Sequence, residues 1–285
     1  MAKCNLCKKR GLFLKLNKNG ICTQCEEEKM RADIAQKEQE EYKKKREAYL
    51  MEKKIAAQAE LTNLPTYAIW HSKEKRTRRK GYEEIPFSNI TPKGKYNDFV
   101  VFDTETTGLS PSKDRIIELA AIRFVNGTPV TLFETLINPE RDIPSEVTKI
   151  NGITNEMVAN APTISQILPA FEEFVAGNSL VAHNLEFDIK FLYYSGSVLT
   201  ESKRKYYDTL EQAKKLLKTP KVKYDREYGI YETDYESEYD VSDYKLKTLC
   251  DYYNITIPSQ HRASADALVT GKLFLNLIEE KQSKY

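Results

Sequence analysis

Apolar positions are sparse along the first third of the chain and dense from Asn97 onward. NDFVVFDTE is a short β-branched and aromatic run ending in acids. RIIELAAIRFV and TPVTLFETLIN are two more strand candidates, separated by the turn-like pair Asn126-Gly127. The pattern then predicts a helix near residues 163–176 and a short apolar strand at Ser179–Ala182. Further helices are expected to start near Glu186 and to cover Leu210–Lys218, Lys245–Tyr253 and Ala263–Glu280. A meander of strands followed by helices mixed with one more strand implies a mixed-sheet α/β domain over residues 97–285.

The sparse part divides further. Residues 26–60 contain no Pro or Gly, are rich in good helix formers and place many Glu and Lys/Arg residues three or four apart. They predict a solvated spacer helix, since no clean heptad runs through them. Residues 61–96 are punctuated by Pro65, Gly81, Pro86, Pro92 and Gly94 and read as a basic linker. Within it, HSKEKRTRRK carries Lys73, Lys75, Arg76, Arg78, Arg79 and Lys80 against one acid. Such a run is either a solvated linker or a phosphate-binding strap.

Charge changes the picture only when it is located. The chain has 285 residues and 44 Lys+Arg against 42 Asp+Glu, a formal net charge of +2. That sum excludes a uniformly basic protein but not a locally basic one: residues 1–25 hold six basic side chains and no acid. No stretch approaches the roughly 18 apolar residues a bilayer span needs. MAKCNLCKKR has no signal-peptide apolar core behind it, so the expectation is a cytoplasmic protein without membrane contact.

Cys4-x2-Cys7 and Cys22-x2-Cys25 form a compact four-thiol pattern over residues 1–25. The spacing suits one structural Zn²⁺ held tetrahedrally by two knuckles. The intervening GLFLKLNKNG is expected to form a small hairpin bending at Gly11 and Asn19-Gly20, and a unit so poor in apolar residues needs a staple. A pair of disulfides is the competing reading, weaker without a secretion signal. Cys250 stands apart in an apolar helix and reads as core. The basic surface of the module suits a phosphate backbone or an acidic protein surface equally.

Asp103 and Glu105, two apart at the end of a strand, point to one face. Two carboxylates there are costly unless exposed or bridged by a cation. Asp188 follows a short strand and lies in the first turn of a helix. His261 lies five residues before Asp266, near a helix start. Each alone is weak evidence, but D-x-E, D and H-x4-D in that order make a two-metal phosphoryl-transfer site plausible.

FVVFDTETTGL, LVAHNLEFDIKFL and HRASADA resemble the three motifs of the DEDDh branch of the DnaQ-like 3′–5′ exonucleases. INPERDIPSEVTKINGITNEMV also resembles the segment between the first two motifs. That family includes the proofreading subunit or domain of bacterial replicative polymerases. The resemblance covers roughly residues 97–280 and implies a ribonuclease-H-like fold. It implies that Asp103, Glu105 and Asp266 ligate the tighter of two Mg²⁺ or Mn²⁺ ions, that Asp103 bridges to the second, and that Asp188 holds the second mainly through water. It also makes His261 the base that takes the proton from the attacking water, a task suited to neutral imidazole. Thr106, Thr107, Gly108 and Leu109 match the strip against the terminal nucleotide, and Asn184 and Phe187 match residues shaping the same pocket.

By this resemblance the expected activity is stepwise release of nucleoside 5′-monophosphates from a DNA 3′ end, single-stranded or frayed. The same motifs serve short RNA, and a nucleic-acid-binding or polymerase-docking protein with accessory or lost nuclease activity is the alternative of another class. A DNA polymerase or another replication or repair protein is the expected protein partner.

Residues 221–244 depart from the family, which commonly has a short connection there. They hold six tyrosines and eight acids. The segment reads as a plain surface insertion, a flap that stacks on bases, a docking element, or a partner for the basic strap.

Overall fold

The computed structural model describes residues 1–11, 14–225, 230–259 and 261–284. Leu12 and Phe13 of the expected hairpin, and residues 226–229 of the Tyr/acid segment, lie outside the described residues. The chain divides into two compact units, Met1–Ile55 and Ala56–Tyr285.

In the first unit, β1 (Ala2–Lys3) pairs antiparallel with β2 (Arg10–Gly11). Asn17 then closes a turn: its side-chain oxygen accepts from the backbone N–H of Asn19 and Ile21, and Gly20 follows with φ 72°. Helix α1 (Thr23–Thr62) begins inside the second CxxC pair, three residues earlier than its composition suggests. Residues 26–56 are exposed along its whole circumference and laced by pairs such as Glu41–Lys45 at 2.7 Å. Its final turns differ, because Ala57 and Leu61 are buried, Leu61 in a core of the second unit. The helix is thus solvated over most of its length and buried near its end.

The second unit is built on a five-stranded sheet: β3 (Asp98–Thr106), β4 (Ile116–Val125), β5 (Thr128–Leu136), β6 (Ser179–Ala182) and β7 (Tyr206–Asp208). The order is β5-β4-β3-β6-β7. The first three strands form an antiparallel meander, and β6 and β7 continue parallel to β3. Asn126 (φ 50°) and Gly127 (φ 74°) make the turn between β4 and β5, both in the left-handed region that a tight two-residue hairpin demands. This mixed sheet, covered by helices on both faces, is the ribonuclease-H-like arrangement.

Helices α2 (Ser145–Asn151), α3 (Asn155–Val158) and α4 (Ile164–Val175) follow β5. Helix α5 (Leu185–Tyr194) follows β6, α6 (Thr209–Leu216) follows β7, and α7 (Leu246–Tyr252) and α8 (Ala263–Ser283) close the chain. Alternation along β3 sends its side chains to two cores. Val100 and Phe102 pack with Phe133, Phe171 and Ile189 on the face of α4 and α5. Phe99 and Val101 pack with Ile122, Phe124 and Phe274 on the face of α8. Small residues bring α8 close to the sheet: a Cβ on Gly271 would lie 2.3 Å from the Phe124 ring. That close approach carries Asp266 to the end of β3.

Residues 61–96 are a strap laid over this unit, not a free linker. Tyr67 N–H donates to the Leu132 carbonyl, Ser72 N–H to Gln166 and Ser88 N–H to Tyr206. Tyr67, Ile69, Tyr82, Ile85 and Phe87 pack against one core, and Ile90 is buried in the other. Its isolated apolar residues serve as anchors, which period-based reading overlooks. The Tyr/acid segment forms a second hairpin, β8 (Lys221–Asp225) and β9 (Ile230–Asp234), with Tyr224 and Tyr231 paired across the strands at 5.0 Å. Val222, Tyr224, Tyr231 and Tyr235 are exposed.

Candidate active site

At the C-terminal end of β3, Asp103 and Glu105 point to the α8 face of the sheet. Asp266, in the first turn of α8, comes down onto them: the three offer carboxylate oxygens that all lie within 4.8 Å of one another. Each is half-buried. Asp188, in the first turn of α5, stands just outside that group and is 3% exposed. Its Oδ1 accepts hydrogen bonds from Thr104 N–H at 3.0 Å and Thr104 Oγ1 at 2.6 Å. Thr104 points away from Asp103 along the strand, so β3 presents carboxylates on one face and clamps a fourth acid from the other.

Crowding shows in the protonation of these acids. Burial raises Asp103 well above the usual carboxylate range, and Asp188, Asp266, Glu105 and Glu118 raise it further. Burial pushes Asp188 up to about 7, against the opposing pull of the Thr104 hydrogen bonds. Burial, Glu105 and Glu118 push Asp266 up to about 7. Burial also raises Glu105, offset in part by Asn151, whose Nδ2 donates to Glu105 Oε2 at 3.1 Å. A cluster of oxygen donors that resists its own ionisation fits a hard divalent cation, which removes the repulsion.

His261 is exposed immediately before α8, with φ 56°. The next residue, Arg262, grips Glu118: its Nε and Nη2 lie 3.0 and 2.6 Å from Glu118 Oε1. Thr106 Oγ1 donates to the Gly108 carbonyl, and the buried Thr107 pairs with Arg115. A Cβ on Gly108 would lie 2.5 Å from the Asp114 carboxylate, so any side chain there displaces Asp114. Leu109 is 85% exposed beside it, an apolar surface that none of the described residues covers. Asn184 sits in the left-handed region at φ 61° and is exposed, while half-buried Phe187 packs on Phe191. The turn carrying Asn184 is held by Asp208, which accepts from the backbone N–H of Asn184, Leu185 and Leu210. Next to it, burial depresses His183 to about 4, and its Nδ1 is 2.9 Å from Thr209 Oγ1.

A chain segment with this topology and these acids in this order matches the RNase_T exonuclease family model over residues 100–274. The chain belongs to the DnaQ-like exonuclease family. It is similar to the PolC-type DNA polymerase III of Caldanaerobacter subterraneus subsp. tengcongensis, with 37% identity over 186 residues, 65% of this chain and 12% of that protein. It is similar to the DNA polymerase III subunit epsilon of Treponema pallidum, with 36% identity over 182 residues, 63% of this chain and 76% of that protein. The match thus spans a small part of the PolC-type relatives and most of the epsilon subunit. Among solved structures it is similar to an exonuclease X bound to 5′-overhanging duplex DNA, 24% identical, covering 64% of this chain and 91% of that one at a TM-score of 0.47.

The N-terminal exonuclease extension holds a different cluster. The Sγ atoms of Cys4, Cys7, Cys22 and Cys25 lie within 4.8 Å of one another, and all four thiols are free. Cys22 N–H donates to Cys4 Sγ at 3.4 Å, and this bond above all depresses Cys4 to about 6. Cys25 is pushed up to about 12, first by its hydrogen bond with Cys7. Four sulfurs this close together fit one soft or borderline cation, with all four positions of a tetrahedral set supplied by the protein.

The basic run 73–80 is not a uniform patch. Arg76 pairs with Glu172 at 2.9 Å, Arg79 with Glu201, and Arg78 donates to the carbonyls of Pro111 and Ser112. Lys73, Lys75 and Lys80 remain exposed. Sequence reasoning singled out none of Thr104, Asn151, Glu118 or Arg262. One signal was present: a charged residue inside the apolar strand IIELAAI.

Proposed function

We propose that this exonuclease removes nucleotides from the 3′ end of DNA, single-stranded or frayed, and releases nucleoside 5′-monophosphates. The observation that carries the reading is the convergence of Asp103, Glu105 and Asp266 within 4.8 Å, with Asp188 clamped beside them. Two Mg²⁺ or Mn²⁺ ions held there, by these three carboxylates and by Asp188, would supply charge stabilisation for the attacking and leaving oxygens. His261 takes the proton from the attacking water as its oxygen bonds to phosphorus, and the bond from phosphorus to the 3′ oxygen breaks. Leu109 offers an exposed surface to the terminal base, with Thr106, Thr107 and Gly108 shaping the strip. Asn184 and Phe187 close the other side of the pocket. The similarity to polymerase III subunits supports a role in replication or repair beside a polymerase.

The four thiols hold a structural Zn²⁺ in the module 1–25, carried on the charged helix. Lys73, Lys75 and Lys80 of the strap bind the nucleic-acid backbone, and the basic surface of the module by itself suits the same ligand. The test is one panel of 3′- and 5′-labelled DNA and RNA oligomers, single- and double-stranded, with Mg²⁺ or EDTA. Mononucleotide release from DNA 3′ ends is expected with Mg²⁺ alone, and D103A is expected to lower it by at least about 10³-fold while leaving the fold. Release unchanged in D103A would sink the assignment, and preferential RNA cleavage would overturn the substrate.

A further inference from the structure

We propose that Glu118 and Arg262 form a positioning pair that sets His261 and Asp266 against the strand carboxylates, and so governs the rate of hydrolysis. The inference rests on the 3′–5′ exonuclease reading of that site.

Glu118 lies opposite Glu105 in the β3–β4 register, so its side chain shares the face of Asp103 and Glu105. It is 0% exposed. A further negative group beside these acids opposes folding unless its bonds accomplish something specific. Those bonds are all directed at the start of α8. Oε1 accepts from Arg262 Nη2 at 2.6 Å and Nε at 3.0 Å, and Oε2 accepts from Ala263 N–H at 2.9 Å.

Arg262 is the N-cap residue of α8. Its guanidinium has no acceptor, so it cannot perform the capping that Ser, Thr, Asp or Asn performs at that position. Glu118 supplies the missing oxygen from a neighbouring strand, at the positive end of a 21-residue helix. The clamp therefore fixes the chain at the one point between the two functional residues of this motif. His261 precedes Arg262 directly, in the left-handed region at φ 56°. Asp266 lies less than one turn beyond Ala263. Because β4 is hydrogen-bonded along β3, the pair ties the approach of α8 to the strand that carries Asp103 and Glu105.

The experiment uses the full chain and two conservative variants, E118Q and R262K, which keep side-chain volume or charge. In folded E118Q and R262K, kcat on a single-stranded oligonucleotide is expected to fall about 10–100-fold, with KM within about twofold of wild type. The affinity for Mn²⁺ alone, measured by calorimetry without substrate, is expected to weaken about tenfold in E118Q, since Asp266 is released from its register. The double variant should fall no further than the worse single one, as expected for residues acting as a unit. Wild-type kcat and Mn²⁺ affinity in both folded variants would overturn the proposal. So would a loss of melting temperature with activity per folded molecule unchanged, which describes a purely structural ion pair. If wild type cleaves no nucleic acid, the exonuclease reading fails, and the Mn²⁺ titration still decides whether Glu118 positions Asp266.

Discussion

The thiol cluster of the first unit and the carboxylate cluster of the second present the same electrostatic difficulty in opposite settings. Each gathers ionisable groups within 4.8 Å. Among the described residues, Cys4, Cys22 and Cys25 are themselves the buried core of the module, with Leu14, Leu16 and Ile21 packed against them. The carboxylates stand at the end of a sheet whose two faces are filled by large apolar cores. A metal can therefore be the fold of one region and only the reagent of the other. The closed set of four sulfurs leaves no position for substrate, whereas the acids keep open positions toward solvent.

The largest expected effect separates the two directly. With zinc held as proposed, stripping it, or the substitution C22S, should remove on the order of 10 kcal/mol from the module and unfold residues 1–25. The amide spectrum of Ala56–Tyr285 should stay dispersed. Loss of both units together would break the contrast. The next effect is the response of the second unit to pH. Folding raises Asp188 and Asp266 to about 7, so the stability they contribute is complete below the ordinary carboxylate value and is lost as pH rises through about 7. The metal-free chain should melt higher near pH 5 than near pH 8, and Mn²⁺ should reverse that order by binding the ionised set. The variant D266N should flatten the metal-free dependence; an unchanged slope would mean that other groups control it.

A smaller loss is expected from T104V, which keeps the backbone donor to Asp188 and removes the hydroxyl. The Mg²⁺ concentration for half-maximal activity should rise about tenfold with the fold intact. The smallest effect concerns the strap. Replacing Lys73, Lys75 and Lys80 by alanine should weaken binding uniformly across sequences and flatten its salt dependence by about 0.7 per lost phosphate contact on single strands. Replacing Arg76, already paired with Glu172, should lower stability instead of the salt slope.

The strands of the meander were legible because their alternation is local, and Asn126-Gly127 announced its own turn. The clustered acids and thiols stood out in the sequence because each motif is short. What stayed hidden depends on partners distant in sequence. Thr104 meets Asp188 across 84 positions, Asn151 meets Glu105 across 46, and Arg262 meets Glu118 across 144. Strand β7 has only three residues and reads as the approach to a helix. Helices α2 and α3 are too short to show a period. The strap read as a linker because Pro and Gly punctuate it and its apolar residues keep no regular spacing.

That strap also bears on how this nuclease can be shortened or borrowed. A fragment started at Val100, where the family match begins, lacks Tyr67, Ile69, Tyr82, Ile85, Phe87 and Ile90. It leaves their apolar beds bare to solvent, a recipe for self-association. The portable unit begins at Ala56 instead. The boundary of homology and the boundary of the compact unit lie some distance apart in this chain, and a transplant that keeps these apolar contacts follows the second.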